Sequence, residues 1–153
     1  MPKQPTAVDA QVVLQLYDLR REAELRKARN WWTAEFWPQS ADDFLHVANA
    51  FPSQHNAWMR QVAGYWDMAA CLVLSGAIHE ELFLSPGISG EMFFIFAKLR
   101  PFLKEVREKM NNPDLFKNIE TVATRSKMAK ERLERVSKNV EARRKALAAK
   151  STS

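Results

Sequence analysis

The chain has 153 residues, of which 46% are hydrophobic, and its 23 Lys and Arg against 18 Asp and Glu give a formal net charge of +5. This composition is typical of one globular domain with a hydrophobic core and excludes a disordered chain, in which low hydrophobicity accompanies high charge. The longest apolar run, Met68 to Leu74, is too short for the roughly 20 residues of a membrane-spanning helix.

A first long helix is predicted to begin after Thr6, which forms a capping-box pattern with Asp9. Apolar residues then recur at helical spacing, and neither Pro nor Gly occurs between Thr6 and Pro38, so this helix should continue without a break. Four aromatic residues crowd its end and should pack against another helix. They are Trp31, Trp32, Phe36 and Trp37.

Two further helices are predicted between Ser40 and Gly76. Ser40 and Asp43 repeat the cap pattern before a short apolar segment that Pro52 closes. Ser53 can cap the next helix, which Gly76 would end. Its apolar stripe consists of Trp58, Val62, Tyr65, Trp66, Ala69, Ala70, Leu72 and Val73. We expect this helix to lie at the centre of the core.

The strongest helix breakers lie in the second half of the chain. Residues 78–84 suggest one more apolar turn, and residues 85–90, SPGISG, are the only stretch rich in loop-forming residues, so we expect a loop there. A helical pattern resumes over residues 91–110, which Pro101 should kink or divide. The dipeptide Asn112-Pro113 is typical of an N-cap followed by a first-turn proline.

The last part of the chain contains neither Pro nor Gly from Leu115 onward, and it follows a heptad register. Eight of the ten core positions are apolar, namely Leu115, Ile119, Val122, Ala129, Leu133, Val136, Val140 and Leu147, and the other two are Ser126 and Arg143. We therefore predict a long helix with coiled-coil spacing. A parallel homodimeric zipper is disfavoured, because Arg125 would lie near Lys130 of the second chain.

Positive charge is concentrated in residues 123–153, which contain ten Lys and Arg against three Glu, whereas residues 1–122 contain 13 basic and 15 acidic residues. We therefore divide the chain into a helical bundle domain, residues 1–122, and a basic helical extension, residues 123–153. The extension could contact an acidic protein or nucleic-acid phosphates. The candidate residues are Lys127, Lys130, Arg132, Arg135, Lys138, Arg143, Arg144 and Lys145. The extension has no aromatic residue to stack on bases, so nucleic-acid binding would be salt-dependent and non-specific.

The sequence contains no motif for metal, phosphate or nucleophilic chemistry, and we predict no catalytic residue, no metal and no cofactor. Glu-x-x-His pairs, HExxH spacing and Gly-rich phosphate loops are all missing. The run His79-Glu80-Glu81 is better explained by the preference for acidic residues in a first helical turn. The five Trp and nine Phe could line a pocket for a flat apolar ligand, although core packing is the usual role of such residues.

Asp67 is the most unusual residue of the predicted central helix, because it interrupts an apolar stretch. A buried carboxylate needs a partner, and we predict a structural ion pair. The candidate partners are Arg20, Arg21, Arg100 and Arg107.

Three segments resemble a family of small, uncharacterised bacterial α-helical proteins, a domain of unknown function, over roughly residues 12–122. The segments are LYDLRREAELRKARNWW at Leu16–Trp32, YWDMAACLVLSGAIHEELFL at Tyr65–Leu84 and KLRPFLKEVR at Lys98–Arg107. The resemblance implies a bacterial source and one helical domain, and it implies no reaction.

Together these patterns predict an all-α, aromatic-rich bundle of about five or six helices that ends in a long basic helix. We expect a cytoplasmic protein, since the N-terminus lacks a secretion signal and Cys71 is the only cysteine. The function expected first is a non-enzymatic scaffold or adaptor whose partner is another protein or a second copy of the chain. The alternative is a non-specific nucleic-acid-associated protein that uses the extension, and the third is an enzyme or cofactor carrier with an unrecognised pocket.

Overall fold

A computed structural model describes residues 3–153, and within this range the chain forms helices and no strand. The helices are α1 (Ala7–Leu19), α2 (Ala23–Asn30), α3 (Ala41–Ala48), α4 (Gln54–Leu74), α5 (Glu80–Phe83), α6 (Pro86–Leu99), α7 (Leu103–Met110), α8 (Lys117–Arg125) and α9 (Lys127–Ser151). The predicted all-α class is confirmed. Eight of these helices have eight or more residues, so the predicted number of five or six was too low.

The predicted first helix is divided into α1, α2 and a π-helical turn, Trp31–Glu35. Glu22 starts α2 afresh, because its carboxylate accepts hydrogen bonds from the amides of Glu24 (3.0 Å) and Leu25 (2.8 Å). This is an N-cap made by a residue that also fits well inside a helix. No Pro or Gly marks the break, which explains why the pattern did not predict it.

Ser126 divides the predicted C-terminal helix into α8 and α9. Its backbone is extended, with φ −102° and ψ 155°, and its Oγ accepts a hydrogen bond from the amide of Ala129 at 3.1 Å. The prediction of one continuous helix from Leu115 is therefore wrong, because a serine that caps a new helix interrupts it. The predicted long basic helix at the C-terminus is present as α9, which has 25 residues. The predicted domain boundary after Val122 lies inside α8, and the division into two domains stays a prediction.

Two predicted features around the prolines are also wrong. Residues 86–90 form the first turns of α6 instead of a loop, because Pro86 occupies the first position, where a helix needs no amide from it. The segment Asn112-Pro113 lies in a turn, and α8 begins only after Phe116, which has φ 57°. The predicted break at Pro101 is confirmed by a 3-10 turn between α6 and α7.

The core is shared by α4 and α6, which each bury eight residues, so the prediction of α4 as the one central helix is only partly correct. Helix α4 packs against α2, α3 and α8, while α9 covers α6 and α8. The aromatic residues that end the α2 segment are buried: the Trp31 and Phe36 rings stack with their centres 4.6 Å apart, and Trp32 meets Phe36 edge-on at 5.2 Å. No helix within residues 3–153 is long and apolar enough to span a bilayer.

The caps predicted for α1, α3 and α4 are confirmed. Thr6 and Asp9 form a capping box, and the hydroxyls of Ser40 and Ser53 accept amide hydrogen bonds at 3.2 and 3.1 Å. Gly76 follows the end of α4 with φ 81°, a left-handed conformation that glycine adopts without strain.

Helix α1 is attached to the rest of the bundle by a few polar contacts. The hydroxyl of Tyr65 donates a hydrogen bond to the carbonyl oxygen of Leu16, and the His79 amide donates one to the Asp9 carboxylate at 2.7 Å. Several large apolar side chains of this helix remain exposed to solvent. They are Val8, Leu14, Tyr17 and Leu19.

Candidate interaction site

An open groove of about 490 Å³ lies between the end of α1, the start of α2 and the outer face of α4. We call it the α1–α4 groove. The residues that define it are Leu19, Glu22 and Leu25 on one wall and Arg60, Gly64 and Met68 on the other. It is the place where exposed apolar side chains of two different helices meet.

The centre of the α1–α4 groove is apolar. Leu19 is 56% exposed and Met68 is 43% exposed, although side chains of these types are usually buried. Between them Gly64 has no side chain, and a Cβ placed there would meet no atom within 4 Å. Neighbouring exposed apolar residues of this kind are typical of a binding surface.

The two walls of the groove carry opposite charges. Hydrogen bonds from the amides of Glu24 and Leu25 hold the pKa of Glu22 below its usual value, so this carboxylate is ionised. On the other wall the Nε of Arg60 donates to the side-chain oxygen of Asn56 at 3.0 Å. Within residues 3–153 neither Glu22 nor Arg60 forms a salt bridge.

Six of the eight basic residues predicted to contact a partner are exposed on α9. They are Lys127, Lys130, Arg135, Lys138, Arg143 and Lys145. The acidic residues of the same helix partly neutralise this surface, since Glu134 pairs with Arg100 at 2.8 Å and Glu131 lies 3.9 Å from Lys127.

The other two predicted contact residues, Arg132 and Arg144, are buried. Arg132 donates hydrogen bonds to the carbonyl of Leu84 and, at 3.1 Å, to the hydroxyl of Ser89. Arg144 donates to the carbonyl of Pro38 and, at 2.7 Å, to that of Lys98. Burial lowers the pKa of both guanidinium groups. These two arginines hold α9 against the bundle and do not face solvent.

Lys98 is a buried basic residue whose burial was not predicted from the sequence. Its side chain is 0% exposed, its Nζ donates to the carbonyl oxygen of Trp32, and the Trp37 ring centre lies 4.0 Å away. Burial, with a smaller contribution from Arg144, lowers the pKa of Lys98 to about 7. The sequence feature that could have predicted this burial is the position of Lys98 four residues after Phe94, within an otherwise apolar stripe.

Asp67 has a different partner from those predicted. It is partly buried, and its Oδ2 accepts a hydrogen bond from the side-chain amide of Asn118 at 2.9 Å, while its Oδ1 is buried without a hydrogen bond. Within the described part of the chain none of the four candidate arginines pairs with it. The partner is neutral, and the contact joins α4 to α8.

The His79-Glu80-Glu81 run forms the start of α5, and Glu80 and Glu81 lie in its first turn, as predicted. The Nδ1 of His79 accepts a hydrogen bond from the amide of Leu82 at 3.5 Å, and Glu80 pairs with Arg125 at 2.7 Å. No group of three or more His, Cys, Asp or Glu residues in the range 3–153 is placed to hold a metal ion.

A small cavity lies between α1 and the aromatic core, next to Tyr65, Trp66 and Phe83. Its volume is about 20 Å³, room for one water molecule and far below the roughly 300 Å³ of a typical ligand pocket. A flat ligand such as haem does not fit there.

A family model described as Domain of unknown function (DUF4760) matches residues 5–126. The chain belongs to this family. The predicted family resemblance is confirmed, and the bacterial source stays a prediction. In this DUF4760 protein the whole α1–α4 groove, Asp67 and Lys98 lie within the matched residues, whereas α9 follows them. Comparisons with curated proteins and with solved structures find no match.

Proposed function

We propose that this DUF4760 chain is a non-enzymatic scaffold or adaptor that binds another protein in the α1–α4 groove. The observation that carries the proposal is the pair of exposed apolar side chains, Leu19 and Met68, on either side of the uncovered Gly64. A groove of this form suits an amphipathic helix, which places its apolar face between two walls.

The expected energetics agree with this role. Complete burial of a Leu or Met side chain contributes roughly 1.5–3 kcal/mol, and about half of that burial remains to be gained at Leu19 and Met68. Methionine adapts its shape to different neighbours, which is why it is common on protein-binding surfaces. The charges of Glu22 and Arg60 would then fix the orientation of the bound helix.

Photo-cross-linking in cells tests the proposal directly. The full chain would carry p-benzoylphenylalanine at position 68, and a matched chain would carry it at position 138, an exposed site on α9. We expect a discrete protein adduct from position 68 that is missing from position 138. No adduct at position 68, or the same adducts from both positions, would contradict the proposal.

Binding of a polyanion by the exposed face of α9 is the second candidate function. The seven exposed Lys and Arg residues of this helix, the six named above and Lys150, favour it. Such binding would act through phosphates and weaken steeply with salt. We would titrate the full chain against duplex DNA from 50 to 200 mM salt, and compare it with the variant in which Lys130, Lys138 and Lys145 are changed to Gln. Equal affinity of the two chains at low salt would exclude this candidate.

A further inference from the structure

We propose that the protein bound in the α1–α4 groove is a second copy of this chain, in a two-fold dimer in which α4 of each copy lies in the groove of the other. This inference rests on the proposed function and names its partner. It follows from the charges of the groove, its apolar centre and the contacts of α9.

The charges of the α1–α4 groove are complementary to themselves. In a two-fold contact the same surface occurs on both copies, so if one residue meets another, the reverse contact also forms. Glu22 lies on the α2 wall, where it caps α2, and Arg60 lies on the α4 wall, where its Nε donates to Asn56. Neither forms a salt bridge within the described residues. A two-fold contact can place Glu22 of each copy against Arg60 of the other. A bound protein whose contacting surface carried charges of one sign only would be complementary in charge to only one wall of the groove.

The outer face of α4 has the features expected of a helix that binds in the α1–α4 groove. Arg60, Gly64 and Met68 follow at intervals of four residues and therefore lie on one face of α4. The absence of a side chain at Gly64 lets the backbones of two helices approach closely. Each copy thus supplies both a groove and a helix that fits it.

Helix α9 offers no competing surface for self-association. Its apolar residues Ala129, Leu133 and Val140 are buried against the bundle of the same chain. The residues that remain exposed on α9 are mostly charged, and Lys and Glu are depleted at the centres of protein interfaces. Outside α9, the exposed apolar side chains are those of the α1–α4 groove together with Val8, Leu14, Tyr17 and Phe51. Among these, Leu19 and Met68 are the ones that lie in the groove between Glu22 and Arg60, and we therefore assign the dimer contact to the groove.

The first test is the mass of the purified full chain by light scattering. We expect twice the 17.6 kDa of one chain at micromolar concentration. Leu19→Glu and Met68→Glu should reduce the mass to that of one chain. The controls are Leu14→Glu and Met128→Glu, which change apolar side chains that are 67% and 47% exposed and lie outside the groove. A single-chain mass for the unmodified protein, or an equal effect of the controls, would overturn the dimer.

The second test examines the charge pairing. Arg60→Glu and Glu22→Lys each create two like-charge contacts in their own dimer, so each variant should self-associate at least about tenfold more weakly. In an equimolar mixture of the two variants, a mixed dimer contains one chain of each kind. One of its contacts joins the native Glu22 of the first chain to the native Arg60 of the second. The other contact joins the acidic side chain introduced at position 60 to the basic side chain introduced at position 22, so both contacts are between opposite charges. The mixture should therefore recover the double mass. Circular dichroism would establish that each variant is folded, since Glu22 also caps α2. A folded mixture that stays at the single-chain mass would show that the pairing is wrong.

The two proposals fail differently. A purified chain of single mass, together with a cross-link from position 68 to a different protein, would overturn the dimer and support the proposed function. A cross-linked adduct of twice the chain mass would support both. A single-chain mass with no adduct would overturn both.

Discussion

At the scale of single residues, Lys98 is a fully buried basic residue that forms no salt bridge within the described part of the chain. Its side chain lies among aromatic rings, its hydrogen-bond acceptor is the Trp32 carbonyl, and the charge of Arg144 also disfavours its protonated form. Burial without a carboxylate favours the neutral amine. The folded protein therefore holds the Lys98 proton more weakly than the unfolded chain does.

This difference makes stability depend on pH. The pKa of Lys98 is about 7 in the folded protein against 10.5 for an ordinary lysine. Between these values the unfolded chain binds more protons, so the contribution of Lys98 to the free energy of unfolding rises with pH, by up to about 1.4 kcal/mol per unit. Below pH 7 the full cost of the buried charge is present.

Lys98→Met should remove this dependence. Urea unfolding at pH 7, 8 and 9 would measure the free energy of unfolding of the unmodified chain and of the variant. We expect the unmodified chain to gain about 2 kcal/mol relative to the variant between pH 7 and pH 9. Lys104→Met, which changes an exposed lysine of α7, is the control and should leave the difference constant. A constant difference for Lys98→Met would show that Lys98 is not the titrating group.

Asp67 should contribute to stability through Asn118. Asp67→Ala removes one side-chain hydrogen bond and leaves the Asn118 amide without its acceptor, so we expect a loss of about 1 kcal/mol. Asn118→Ala should cost a similar amount, and the double variant should cost less than the sum of the two. Thermal unfolding of the four chains measures this coupling. If the loss of stability in the double variant equals the sum of the losses in the two single variants, the hydrogen bond between Asp67 and Asn118 does not contribute to stability.

At the scale of helices, two buried arginines position α9. Arg132 near the start of the helix bonds to the Leu84 carbonyl and the Ser89 hydroxyl, and Arg144 further along bonds to the carbonyls of Pro38 and Lys98. The Arg132 guanidinium also lies 4.5 Å from the centre of the Phe93 ring. These contacts fix both the rotation and the register of α9 on α6.

Arg144→Ala should therefore destabilise the protein by about 3 kcal/mol, because it leaves two buried carbonyl groups without donors and opens a space beside Phe102. Arg143→Ala is the control, since Arg143 is the adjacent residue and is exposed. It should change stability by less than about 0.5 kcal/mol. Urea unfolding distinguishes the two, and similar losses would contradict the assigned role of Arg144.

The helices that could be predicted from sequence are those whose limits are set by local chemistry. Ser40, Ser53, Gly76 and Pro101 act through hydroxyl caps, a left-handed backbone or a missing amide, and each acted as expected. The break at Glu22 could not be predicted, because a glutamate is equally compatible with a continuing helix.

Charge alone could not predict which basic residues of α9 face solvent. Arg132 and Arg143 belong to the same run of basic residues, yet only Arg132 is buried, because α6 covers one side of the helix. The α1–α4 groove could not be predicted for a related reason. Leu19 and Met68 fit an apolar helical pattern whether they are buried or not, and only the packing of α1, α2 and α4 leaves them exposed.

At the scale of the whole molecule, the proposed dimer couples folding to concentration. If two chains dissociate when they unfold, mass action raises the melting temperature as protein is added, by about 2 °C for each tenfold increase in a chain of this length. Differential scanning calorimetry over about a hundredfold range of protein concentration measures this effect. Leu19→Glu, which is expected at the single-chain mass, should melt at the same temperature throughout. A concentration-independent melting temperature for the unmodified chain would contradict the dimer.

The burial of Arg132 and Arg144 also has a consequence for fragments of this protein. The family match ends at residue 126, one residue before α9, so a protein cut at that limit would keep every matched residue and lose the helix that covers α6. The carbonyls of Leu84, Pro38 and Lys98 would then lose their arginine donors, and apolar side chains of α6 would face water. The family match therefore ends immediately before a helix that supplies hydrogen-bond donors to three carbonyls of the matched part and covers α6.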